Sequence, residues 1–312
     1  MRKQSVLTIA GAAVFSCFAV HAQAAFLVRP NDLSGAWYDP NTSGQGFMFD
    51  VSSNADGSVG VFGGWFTFTL SGMLNEAYPT WFSIQGQISS TRTASPISIF
   101  HTGGGTFDAP PVVAASLAGS GTLAFLDCTH ATFTYSIAGE YLNSPAEAPP
   151  LQTGSISLVR LSAEAGCNQP SAEPTSSRGF SGTWYNPTTS GQGLLFDVSD
   201  TGGGFFFGGW FTYADVGAYP KAWYTLQGPF ATNATEADLP VYVGRSESFG
   251  STQVPAPGGE LAIRQVGTAH IKFTSCTDAQ LDYTVTFVGT PTATGSIPLK
   301  RLTPVPADCA LR

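Results

Sequence analysis

Apolar and polar residues alternate with a period of two over short stretches along most of the chain. Phe47, Phe49 and Val51 share one face against Met48 and Asp50, and Phe133, Tyr135 and Ile137 oppose Thr132, Thr134 and Ser136. Successive side chains of a strand point to opposite faces, so this pattern predicts strands with one dry side and one wetter side. Runs of β-branched and aromatic residues extend the prediction to about 34–38, 45–53, 59–70, 79–89, 96–101, 117–127, 131–141 and 154–162. Asp56-Gly57, between the second and third runs, is a hairpin signal, because Gly tolerates the positive φ of such turns. Eight short strands without a convincing helix predict an all-β meander, closed as an antiparallel barrel or, alternatively, folded as a β-sandwich.

The second half repeats the first. Leu33-Ser34-Gly35-Ala36-Trp37-Tyr38-Asp39-Pro40 reappears as Phe180-Ser181-Gly182-Thr183-Trp184-Tyr185-Asn186-Pro187, and each is followed by Thr-Ser-Gly-Gln-Gly, at 42–46 and 189–193. Gly63-Gly64-Trp65-Phe66-Thr67-Phe68 matches Gly208-Gly209-Trp210-Phe211-Thr212-Tyr213, and Trp81 to Gly86 matches Trp223 to Gly228. Phe125, Cys128 and Tyr135 fall opposite Phe273, Cys276 and Tyr283. Gly154-Ser155-Ile156 with Leu158 and Arg160 meets Gly295-Ser296-Ile297 with Leu299 and Arg301. The copies run over about 31–167 and 179–309. Residues 168–178, rich in Pro and Ser and without apolar periodicity, read as a linker. Each copy carries its own apolar pattern, so each is expected to fold on its own.

Ahead of the first copy, Met1, Arg2 and Lys3 precede an apolar run over 6–20 and then Ala22-Gln23-Ala24. A positive start, an apolar run too short to span a bilayer and a small-x-small ending predict a secretory signal peptide over 1–24. Cys17 inside the run is a rival lipoprotein site, with bulky Phe15 two residues before it. The expected organisation is therefore signal peptide 1–24, module 25–167, linker 168–178 and module 179–312, exported to the periplasm or beyond. No later stretch is long and apolar enough for a membrane helix. Four cysteines remain, two at equivalent places in each copy. The duplication favours Cys128–Cys167 and Cys276–Cys309 among three connectivities, in the oxidising compartment that export implies.

Gly35-x-Trp37 on the first strand with Arg160 on the last, and Gly182-x-Trp184 with Arg301, resembles the calycin pattern of lipocalins and avidins. That resemblance implies two tandem eight-stranded meander barrels in which each Trp closes one end and the late Arg lies across its indole. In the second copy Tyr185-Asn186 followed by Ser190 is similar to the start of avidin-family proteins, where an Asn and a Ser hydrogen-bond biotin. The first copy departs from it, with Asp39 in place of Asn186, and neither shows the later tryptophans of such a pocket. The whole repeat also resembles modules of uncharacterised secreted bacterial proteins with Trp-Tyr-x-Pro, Ser-Gly-Gln-Gly and Trp-Phe-Thr segments, which imply no activity.

Composition narrows the function. Aromatics make up 12% and charged residues only 11%, a secreted β-rich mixture rather than a disordered one. Without Arg2 and Lys3, the basic residues fall from 13 to 11 against 21 acidic ones, so the net charge moves from -8 to -10 (11 minus 21). No basic stripe is left to displace counterions from nucleic acid or anionic lipid. Matched aromatics outnumber matched ionisable groups: only Asp50 and Asp197 are carboxylates at equivalent places, and they read as outward and solvated. No second matched acid supports glycosidase chemistry, the histidines do not correspond between copies, and no Cys-x-x-Cys holds a metal. The expectation is a binding protein and not an enzyme, with no catalytic residues, metal or cofactor. Its ligand would be a small molecule or a surface polysaccharide, met by Trp65, Trp81, Trp210, Trp223, Tyr38, Tyr185, Asn186 and Ser190. A structural envelope component meeting another protein is the alternative, and a hydrolase active in one copy comes third.

Overall fold

The structure, a computed structural model, describes residues 29–42, 44–70, 77–89, 95–142, 150–162, 177–213, 221–244, 249, 263–286, 291–306, 309 and 311. The expected signal peptide, Cys167, Ser43 and residues 168–176 of the linker lie outside them. The first half folds as β1 (Gly35–Tyr38), β2 (Gly46–Ser53), β3 (Val59–Phe68), β4 (Pro79–Gln87), β5 (Ser95–Thr102), β6 (Ala115–Phe125), β7 (His130–Ala138) and β8 (Leu151–Arg160). The second repeats it as β9 (Gly182–Tyr185), β10 (Gly193–Ser199), β11 (Phe205–Tyr213), β12 (Lys221–Pro229), β13 (Glu236–Gly244), β14 (Ile263–Phe273), β15 (Asp278–Thr286) and β16 (Thr292–Arg301). Every neighbour is antiparallel, and β1 pairs with β8 as β9 pairs with β16, so each half is a closed meander barrel and not a sandwich.

Eight strands leave an interior that side chains can fill. In the first barrel Phe47 stacks on Trp65 at 5.1 Å and meets Phe133 at 4.8 Å, while Trp37 packs on Phe125 at 5.4 Å. In the second, Phe273 packs on Phe180, Trp184 and Phe196.

One end of each barrel is sealed by the Trp and Arg of the repeat. Trp37 stands opposite Arg160, and Trp184 opposite Arg301, across the closing pair of strands. The Arg160 guanidinium carbon lies 5.6 Å from the Trp37 ring centre, and that of Arg301 4.8 Å from Trp184. Arg160 donates to the carbonyls of Asp32 and Ser34, and Arg301 to those of Gly179, Ser181 and Cys276, so each cation ties the chain entering its barrel to the sealed end. Cys276 and Cys309 are bridged and pin the second C-terminal segment to that same end. Cys128 is also disulfide-bonded, but its expected partner Cys167 is outside the described residues.

A third apolar cluster belongs to neither barrel alone. It joins Ala36, Met48, Phe66, Phe68 and Trp81 to Leu195, Phe207, Phe211, Tyr213 and Trp223, all outward-facing and all buried. The contacts are reciprocal. Trp81 Nε1 donates to Thr212 O at 3.0 Å, and Trp223 Nε1 to Thr67 O at 2.8 Å. Asp50 Oδ2 accepts from Thr183 N at 2.7 Å and Thr303 Oγ1 at 2.5 Å, while Asp197 Oδ2 accepts from Ala36 N at 2.9 Å and Ser162 Oγ at 2.6 Å. Such matched pairs are the mark of an isologous interface, here formed within one chain. The sequence reading of Asp50 and Asp197 as solvated is corrected: they are 4% and 1% exposed, because the surface they point to is the other barrel. Burial raises the Asp50 pKa above the ordinary carboxylate value, against the opposing pull of Thr303 and Arg301.

Candidate functional site

The open ends of the barrels lie opposite the sealed ones, where β1 meets β2 and β3 meets β4. There the two copies build the same cavity. Asp39, Thr42, Gln45, Gly46, Trp65 and Ile156 line it in the first barrel, and Asn186, Thr189, Gln192, Gly193, Trp210 and Ile297 in the second. Inward-facing Trp65 and Trp210 form the floors. A tyrosine stands beside each, Tyr135 at 5.1 Å from Trp65 and Tyr283 at 5.2 Å from Trp210. The hydroxyls of Tyr135 and Tyr283 lie over Gly154 and Gly295, where a Cβ would collide with them. This close approach accounts for the Gly that opens the repeated Gly-Ser-Ile.

Each mouth is entered by a phenylalanine from the opposite barrel. Phe107, between β5 and β6, meets Trp210 at 5.2 Å and Tyr283 at 5.6 Å. Phe249, between β13 and β14, meets Trp65 at 5.4 Å and Tyr135 at 5.7 Å, and its backbone N–H donates to Thr69 O at 3.0 Å. In the second mouth Gln192 holds the incoming loop: its Oε1 accepts from Asp108 N and its Nε2 donates to Thr106 O. The glutamines of the Ser-Gly-Gln-Gly segments sit at these rims, and each also accepts from a β-strand threonine, Gln45 from Thr67 and Gln192 from Thr212.

The mouths then differ. Asp108, which follows Phe107, accepts from the Tyr283 hydroxyl at 2.7 Å, and only about 10 Å³ of free space remains. The first mouth keeps a cavity of about 170 Å³. Burial raises the pKa of Tyr135, and burial together with the Asp108 carboxylate raises that of Tyr283.

The sequence-predicted residues are divided among different places. Trp65 and Trp210 lie at the mouths. Trp81 and Trp223 point out of their barrels and fill the interface. Tyr185 and Ser190 line a cleft of about 270 Å³ along the seam between barrels, beside Trp81. Asn186 Oδ1 accepts from Thr188 N and Thr188 Oγ1, capping a short turn, and Tyr38 is half-buried at the end of β1. The sequence reading missed Phe107 and Phe249. Their signal was a lone phenylalanine in the corresponding polar connection of each copy, Thr106-Phe107-Asp108 and Ser248-Phe249-Gly250.

Elsewhere, Lys221 is buried, with Nζ donating to Trp81 O at 2.6 Å and lying 4.5 Å from the Trp81 ring centre. Burial holds its pKa well below the ordinary lysine value. His101, against Tyr141, is brought down to about 4 by burial and then by Lys221. No group of three metal-ligating side chains gathers among the described residues, and no helix among them is long and apolar enough to cross a membrane. The chain matches no protein-family model, no curated protein and no solved structure.

Proposed function

We propose that this is an exported, non-enzymatic binding protein whose duplicated calycin-like barrels act as one unit, with the ligand site in the mouth of the first. The observation that carries this reading is the first mouth itself: a cavity with an indole floor, a phenolic hydroxyl and a rim of Asp39, Thr42 and Gln45. Small-molecule sites combine aromatic walls with convergent polar groups, and here the lining is about equally polar and apolar. A small molecule is favoured over a polymer, because Phe249 covers the floor and leaves no extended aromatic platform. The acids matched between copies, Asp50 and Asp197, are engaged at the interface and so are not offered to a substrate.

A small-molecule screen by tryptophan fluorescence, repeated on Thr42→Phe, tests the proposal. Hits should bind the wild-type chain and be lost when the bulkier ring narrows the rim, with the melting temperature unchanged. Hits that bind both proteins equally would place the site elsewhere.

A further inference from the structure

The second mouth displays the kind of group that its machinery binds. There the chain supplies its own occupant: the Phe107 ring lies on Trp210, and the Asp108 side chain accepts from Tyr283 Oη. The first mouth has the same floor, the same tyrosine over the same glycine, and a phenylalanine at matching distances. Among the described residues it lacks the acceptor, and in the sequence Gly250 follows Phe249 where Asp108 follows Phe107. Tyr135 Oη makes no hydrogen bond to the described residues, and it borders the cavity that the second mouth does not keep.

Given the reading of the first mouth as the ligand site, we infer that it takes a small uncharged molecule whose carbonyl or amide oxygen accepts from Tyr135 Oη, in the place that Asp108 holds in the second barrel. The requirement for a neutral ligand comes from the lining. Among the described residues it holds no Lys, Arg or His, and it carries Asp39 where the second mouth has Asn186. An anion brought there would lose its water without gaining a cation. Asp108 shows the same cost, since burial raises its pKa toward the protonated form.

Benzamide, benzoate and toluene serve as probes, titrated against the full-length chain with tryptophan fluorescence as the readout. Benzamide should bind most tightly. Tyr135→Phe should weaken benzamide about three- to tenfold, the worth of one neutral hydrogen bond, and leave toluene unchanged. Gly250→Asp, which copies the second loop, should abolish binding of benzamide and toluene while the protein stays folded by thermal melting. If benzamide and toluene bind, are both lost in Gly250→Asp and are both indifferent to Tyr135→Phe, the mouth is a site but the acceptor inference fails. Benzoate binding more tightly than benzamide would overturn the requirement for a neutral ligand. If no probe binds, or if Gly250→Asp leaves binding intact, both this inference and the proposed site are wrong.

Discussion

At the scale of single residues, the repeated Gly-x-Trp has two physical causes. The Trp seals an end under an Arg. The Gly makes room for both barrels: Gly35 has φ +128°, and a Cβ on it would lie 2.6 Å from Asp197 Oδ2 of the other barrel and 2.9 Å from Arg160 Nη2 of its own, while one on Gly182 would lie 2.5 Å from Arg301 Nη1 and 2.8 Å from Asp50 Oδ2. Gly35→Ala should therefore cost about 2–4 kcal/mol, from backbone strain plus the collision. Asp197→Ala in the same chain should return part of it, a coupling that thermal melts of the single and double variants would measure. Lys221 gives a prediction with a pH signature. Its folded pKa lies below the unfolded value of 10.5, so the unfolded chain binds the extra proton. The cost to stability is present at neutral pH and fades as pH rises toward 10.5. Lys221→Met should then stabilise by about 1–3 kcal/mol at pH 7 and by less at pH 10, in denaturant titrations at the two values. An equal effect at both would mean that the ammonium is not the source. Nothing in the sequence around Lys221 announced this, because its counterpart is Pro79 and its burial arises between barrels.

At the scale of elements, the strands were readable because alternation reports which side chains enter a barrel. The predicted 45–53 and 59–70 appear as β2 and β3 within two residues. Alternation does not report what covers the outside. Phe66, Phe68, Trp81 and Trp223 face outward, and sequence alone could not separate a ligand surface from an interface. The plugs were hidden for a similar reason, since a loop phenylalanine has no period to betray its destination. Phe107→Ala should destabilise the protein by about 1–3 kcal/mol, less than a fully enclosed Phe because Phe107 is only half-buried. Asp108→Gly makes the second loop resemble the first. If the acceptor argument is right, it should raise the number of benzamide equivalents bound from one to two by calorimetric titration, and a stoichiometry that stays at one would contradict the equivalence of the mouths.

At the scale of the molecule, the duplication was legible in the paired motifs, yet its consequence was not. Two copies joined by a short polar segment suggested separate modules. The structure instead buries Trp81 and Trp223 at 4% and 3% exposure between the barrels and exchanges a phenylalanine across each mouth. A buried ion pair, Arg178 to Asp32 at 2.8 Å, also links the segment entering the second barrel to the start of the first. Each half alone has a complete barrel core, so closure does not require its partner. Each would, however, present an outward aromatic stripe and an unplugged mouth to water, which a lone soluble domain rarely tolerates. Because the interface is quasi-isologous, a separated half can satisfy much of it with a second copy of itself. Fragments 25–169 and 176–312 should accordingly run as dimers in light-scattering chromatography. Mixed, they should convert to a one-to-one complex, since only that pairing supplies Phe107 to the second mouth and Phe249 to the first. Trp223→Ala in the second half should remove the indole bond to Thr67 and the contacts with Phe66 and Phe68, and weaken the mixed complex at least tenfold. Two monomeric halves, each as stable as the intact chain, would show that the interface contributes nothing to folding.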